Sequence, residues 1–142
     1  MSKLKKGRLM CKEVEVMWFI HGIWIFDKFF GIKKFYRRGN KESVDFNWKR
    51  GMNPFVLGWM HSHPDGYGLN PSSTDDKTMR SWVRAKNKPL ISAIYWMKDE
   101  LWYLYFRDTD RNIRRAVLKV ACWNDCFVTG SLKNKNDCGV FA

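Results

Sequence analysis

A chain of 142 residues, 45% hydrophobic and 16% aromatic, has enough apolar material for one domain with a single core, which excludes disorder along its whole length. Its formal charge of +12 favours acidic partners of any kind, whether nucleic acid, anionic membrane or an acidic protein face, and says nothing of fold. No run of about 18 apolar residues is free of charge, and no apolar segment with a cleavage site follows Lys3, Lys5 and Lys6; a cytoplasmic protein with no membrane span and no membrane partner is expected.

Residues 1–8 read as a basic lead-in, residues 9–128 as the domain and residues 129–142 as a polar, glycine-containing tail. From Leu9 to Tyr36 aromatic and β-branched residues mix, with Gly22 and Gly31 as punctuation. The pattern predicts a short helix or strand leading to Glu15, strands at residues 16–20 and 23–30, and another at 33–37. Arg38-Gly39-Asn40 has turn chemistry, and residues 41–53 are polar and ambiguous. The apolar run from Phe55 to Met60 reads as a buried strand that leads directly into His61. After a loop rich in Gly, Pro, Asn and Ser, Ser73 or Thr74 as N-cap and Asp75 and Asp76 in the first turn start a helix to about Lys86. Residues 90–97 read as a strand, 98–100 as a turn, 101–107 as its hairpin partner, 108–112 as a turn and 113–122 as a strand or helix. The sum is one α/β (α+β) domain with a mixed sheet. Four cysteines, Cys11, Cys122, Cys126 and Cys138, are too scattered for a disulfide framework. Cys122 and Cys126, with Cys138 as a loose third, are buried or incidental thiols, or a second, structural zinc site.

His61-Ser62-His63 stands at the end of the apolar strand. Side chains alternate across a strand, so two imidazoles at i and i+2 can converge on one metal ion. Asp75 follows across a loop, in the first turn of the helix. Two His and one carboxylate leave a tetrahedral position open, the pattern of a catalytic zinc site; a closed structural site uses four protein ligands, usually with Cys. Against this stand two simpler readings: His-x-His pairs are common on surfaces, and an acidic residue is favoured at a helix N-terminus. His21, in an apolar strand beside Gly22, reads as structural, and Trp18, Trp24 and Trp59 read as core.

The run Gly58-Trp59-Met60-His61-Ser62-His63-Pro64, followed by Pro71-Ser72-Ser73-Thr74-Asp75, resembles the JAMM (MPN+) family of zinc metalloproteases, above all its compact prokaryotic members. That family's pattern is a distant Glu, then His-x-His-Pro, a short loop and Ser-x-x-Asp; Ser72 and Asp75 stand in the last relation. The loop is one residue longer than is usual, an excess that Gly66 and Gly68 can absorb. Asp76, paired with Ser73, is the alternative and lengthens the gap again. Glu15 matches the family's Glu best, because Gly22 follows it at the family's offset; Glu13 misses that offset and Glu42 lies too close to the histidines. Met17 and Trp18 stand where the family has paired glycines.

The resemblance implies a cytidine-deaminase-like, JAB-MPN architecture, a mixed curved β-sheet flanked by helices. It implies Zn2+ on His61, His63 and Asp75, with Glu15 as general base and then acid toward zinc-activated water. Ser72 would donate to the developing oxyanion or hold the loop. The implied activity is that of a zinc metalloprotease cleaving an isopeptide or peptide bond after the C-terminus of ubiquitin or a ubiquitin-like protein, whose tail pairs along a sheet edge. Two readings from other classes stay open. One is a catalytically silent MPN-like interaction scaffold. The other is a DNA-repair-associated relative that binds nucleic acid through a basic surface, with modest basic clusters at residues 33–38 and 111–115.

Overall fold

The computed structural model describes residues 15–39, 48–64, 68–96, 99–124 and 126–132. Expectations for residues 1–8, Cys11, Glu13, Asn40, Glu42, Cys138 and residues 133–142 lie outside these. The described elements are β1 (Val16–Ile25), β2 (Lys28–Arg38), the single turn α1 (Trp48–Gly51), β3 (Val56–Ser62), α2 (Ser73–Lys86), β4 (Leu90–Trp96), β5 (Asp99–Arg107), β6 (Ile113–Trp123) and β7 (Phe127–Leu132).

The strands close into a barrel in the order β1-β2-β7-β6-β5-β4-β3. Neighbours pair antiparallel except β3 and β4, which run parallel because α2 supplies the crossover such a pair requires. The expected α/β domain, a mixed curved sheet flanked by helices in the JAB-MPN manner, is therefore corrected. Of the described residues 59% lie in strands and 17% in helices, and the sheet closes on itself. Two segments account for the difference. Residues 113–122, readable as strand or helix, belong to β6. The run Phe127–Leu132, which straddles the expected start of the tail, forms β7 and seals β6 to β2. Its alternation of outward Phe127, Thr129 and Ser131 with buried Val128, Gly130 and Leu132 is strand periodicity.

The first hairpin also differs from expectation. β1 runs through to Ile25, and the chain reverses at Phe26-Asp27, with Ile25 opposite Lys28. Phe26 takes φ 55°, a left-handed conformation that hairpin turns ordinarily assign to Gly, Asn or Asp. The turn therefore leaves no signal in the composition.

Strand alternation divides the apolar residues into two layers. Trp18, Ile20, Phe29, Met60, Trp102 and Leu104 belong to the cluster that fills the barrel. Met17, Phe19, Trp59 and Tyr105 point outward instead, under Met79 and Val83 of α2. Trp59 meets Trp82 edge-on at 5.7 Å between ring centroids. Burying side chains of this size stabilises by about 1.5–3 kcal/mol each, which fixes α2 against β3, β4 and β5. Gly58 is required where β3 meets β4: at φ 150° its backbone lies so close to Ile91 that an added Cβ would sit 1.9 Å from the Ile91 carbonyl oxygen. No helix among the described residues is long and apolar enough to cross a membrane.

Candidate metal centre

His61 and His63 extend from the C-terminal end of β3 on its outward side, toward the N-terminus of α2. Strand alternation aims both rings the same way, as expected from their spacing. Both are 5% exposed. His61 Nε2 and His63 Nε2 lie 3.2 Å apart, His61 Nε2 lies 3.3 Å from Asp75 Oδ1, and His63 Nε2 lies 3.0 Å from Asp75 Oδ2.

The start of α2 explains how Asp75 is held. Ser72, not Ser73 or Thr74, is the N-cap: its Oγ accepts from the Asp75 N–H at 3.0 Å, while its own N–H donates to Asp75 Oδ2 at 2.9 Å. The Ser-x-x-Asp relation is thus a capping box in which the N3 carboxylate both caps the helix and faces the histidines. Ser72 is exposed, and the hydroxyl hydrogen of an accepting Oγ remains available for donation. Asp76, the alternative ligand, turns away: it accepts from Arg80 Nε at 2.7 Å and Tyr105 Oη at 3.1 Å, with Arg115 nearby.

Second contacts set the tautomer of His63. A carbonyl can only accept, so the 2.8 Å contact between His63 Nδ1 and Gly68 O makes Nδ1 the donor. Nε2 of the neutral ring then presents a lone pair to Asp75 and His61. Gly68 has φ 69°, so its carbonyl reaches the ring through a conformation that glycine tolerates. Burial opposes charging His63, but the hydrogen bonds to Asp75 and Gly68 outweigh it and raise its pKa. For Asp75, burial is likewise the largest influence, yet the hydrogen bonds from His61, His63 and Ser72 hold the carboxyl well below the usual carboxylate range. The His63 Nε2 lone pair, the Asp75 carboxylate and His61 Nε2 converge on one point, where a cation, proton or metal, relieves the repulsion between lone pair and anion.

Zinc fits this donor set. Ligand atoms at about 2.0–2.1 Å in tetrahedral array stand roughly 3.3 Å from one another, and the observed separations from His61 Nε2 are 3.2 and 3.3 Å. His61, His63 and Asp75 form the metal-competent group among the described residues, with ligand atoms all within 4.8 Å of one another. One feature departs from the usual pattern of histidine ligands: His61 Nδ1 is buried with no partner among the described residues.

Glu15 comes to the same place. Met17 pairs with His61 across β1 and β3, and Glu15 precedes Met17 by two residues, which puts it on the same face beside the histidines. The Glu15–Val16 peptide is held on both sides: its carbonyl accepts from Gly39 N at 2.7 Å and its N–H donates to Ser62 Oγ at 3.0 Å. Burial raises the Glu15 pKa to about 7, with Asp75 adding to the rise and His61 and His63 opposing it. Sequence reasoning missed Ser62, Gly39 and Gly68 as supports of the site. Ser62, fully buried between two candidate ligands, was open to discovery from its inward strand parity. Met17 and Trp18 are core residues, and Met60 belongs to the cluster that fills the barrel. Cys122 and Cys126 are free and exposed. No protein-family model matches this chain, and no curated protein matches it.

Proposed function

We propose that this chain is a zinc-dependent hydrolase of JAMM-like chemistry, cleaving an isopeptide or peptide bond after the C-terminus of ubiquitin or a ubiquitin-like protein. One observation carries the hydrolase reading: three candidate ligand atoms, two of them 3.2 and 3.3 Å from His61 Nε2, share a face with a half-buried carboxyl whose pKa is raised to about 7. His61, His63 and Asp75 would hold a zinc ion, which would supply Lewis acidity to make water a competent nucleophile near neutral pH. Glu15 takes the proton from the attacking water and returns it to the leaving amine, a role suited to a carboxyl whose two protonation states are close in energy. Gly39 and Ser62 hold the Glu15 backbone during that exchange, and the Gly68 carbonyl keeps His63 Nε2 free of its proton. Ser72 orients Asp75 and has a hydroxyl hydrogen to offer an oxyanion.

The substrate class rests on the resemblance of the His61–Asp75 segment. β3 is paired on both sides, with β1 and with β4, up to the ends of its ladders at His61 and Ser62. A substrate tail therefore approaches across the end of the barrel, not along an open edge of β3. The test is metal content together with cleavage of a ubiquitin-like fusion, for the parent, His63→Ala and Glu15→Gln. One zinc per chain is expected, lost in His63→Ala. Glu15→Gln is expected to keep the metal and lose turnover by about 10²-fold or more. A parent that binds no metal sinks the hydrolase reading, and a parent that binds zinc but cleaves nothing supports the silent scaffold instead.

A further inference from the structure

The outer surface of the barrel is unevenly furnished. Along the second half of β1 and on β2 and β7, strand alternation turns Ile23, Ile25, Phe30, Ile32 and Phe127 outward, and all five are exposed. Phe55, from the segment before β3, is 61% exposed and lines a shallow groove with several of them, beside Lys34. An apolar surface spread over three strands marks a contact with something other than water.

The hairpin tip identifies the kind of partner. Phe26 protrudes with 89% of its surface exposed, and it does so in the left-handed conformation of φ 55°. A bulky residue there costs the fold stability that Gly or Asn would not, and no packing of Phe26 offsets that cost. Phe35, the other positive-φ residue of the hairpin, is also exposed, with the Arg50 guanidinium 3.9 Å over its ring. Charge completes the pattern: Lys28 and Lys34 share the outward parity of Phe30 and Ile32, and β1, β2 and β7 contain no acidic residue, Asp27 lying in the turn. The chain's net charge of +12 opposes apposition of a second copy and favours an anionic surface. A protruding aromatic tip, apolar flanks and two outward lysines are the components of interfacial membrane docking, which needs no spanning segment.

We infer that the β1–β2–β7 face docks on an anionic lipid bilayer, with Phe26 and Ile25 entering the headgroup region and Lys28 and Lys34 meeting acidic headgroups. β1 leads from Glu15 beside the metal centre to Ile25 at the tip, so docking holds the candidate centre away from the bilayer. This inference is independent of the hydrolase reading.

The test is sedimentation of the full chain with phosphatidylcholine vesicles containing about 30% phosphatidylserine, against phosphatidylcholine alone. Binding to the anionic vesicles is expected to be at least about tenfold tighter and to weaken with salt. Phe26→Gly and Phe26→Asn suit the turn, so they are expected to leave Tm unchanged or higher while lowering partition about fivefold or more. Phe127→Ser is expected to weaken partition as well. Three outcomes overturn the inference: no binding to anionic vesicles at low salt, partition unaltered by either Phe26 substitution, or a dimer in the absence of lipid that Phe26→Gly abolishes.

Discussion

Two outer faces of the same barrel carry apolar residues and treat them differently. Beneath α2, Met17, Phe19 and Trp59 are covered by Met79 and Val83 and nearly inaccessible. On β1, β2 and β7, residues of the same chemical type at the same strand parity stay open to solvent. Hydrophobicity and period therefore do not decide what is core; the presence of a covering element does. The covered face also has the candidate centre at its end, because the N-terminus of the covering helix delivers Asp75 to β3. Packing that fixes α2 thereby fixes the geometry of the ligands.

The largest expected effect tests that last link. Asp75→Asn is expected to weaken zinc binding by about 10²-fold or more, because it replaces an anionic ligand by a neutral amide whose oxygen can still accept from the Ser72 N–H. Asp76→Asn, one residue on, should leave zinc affinity within about twofold and instead loosen α2 from β5 and β6 by about 1–2 kcal/mol. Zinc titration and urea unfolding separate the two, and equal effects on zinc would break the assignment. Next in size, Met79→Ala should destabilise by about 2–5 kcal/mol as a cavity opens under the helix. Its counterpart on the bare face, Phe30→Ser, should cost about 0.5 kcal/mol or less. Comparable losses in unfolding experiments would mean that the bare face is covered after all.

A smaller effect concerns the electrostatics of the centre. Glu15 has a folded pKa of about 7, raised by burial above its ordinary value of 4.5. The folded state therefore binds this proton more tightly than the unfolded state, and the stability it contributes below pH 4.5 is lost as pH rises through 7. In metal-free protein, Glu15→Gln should then raise stability at pH 8 by on the order of 1–2 kcal/mol, a figure reduced for partial exposure of the carboxyl. The same substitution should change little near pH 4. Urea midpoints measured in chelator across that range provide the check, and a gain at pH 4 equal to that at pH 8 would show that the carboxyl is not strained. Of similar size, Ser62→Ala should cost about 1–2 kcal/mol by orphaning the Val16 N–H, while Ser62→Thr recovers part of it. Amide exchange at Val16 reports the change directly.

These contrasts show which features the sequence makes legible. His61 and His63 converge because strand period is two, and Asp75 joins them because a helix starts where its polar residues cluster. Both signals are local. The cap falls one or two residues before the expected Ser73 or Thr74, at Ser72, where Ser72-x-x-Asp75 forms a capping box. Barrel closure was not legible, since it depends on pairing between Lys28 and Ser131, residues that no local pattern connects. Nor was the division into covered and bare faces. Ile23 and Phe19 look alike in a periodicity count, and only the path of α2 distinguishes them.

The short spacing of the ligands has a consequence for the order in which the protein assembles. His63 and Asp75 are 12 residues apart, and loops of about ten residues close in roughly 10–100 ns. Sealing β7 against β2 brings together segments from opposite ends of the chain and belongs among the slow, non-local steps of folding. The ligands can therefore gather within the β3–α2 segment before the barrel exists, and Glu15 joins them only when β1 pairs with β3. On the proposed reading, filling the candidate site and the arrival of Glu15 would be separate folding events, and a partly folded chain would hold an ion before the carboxyl is in place.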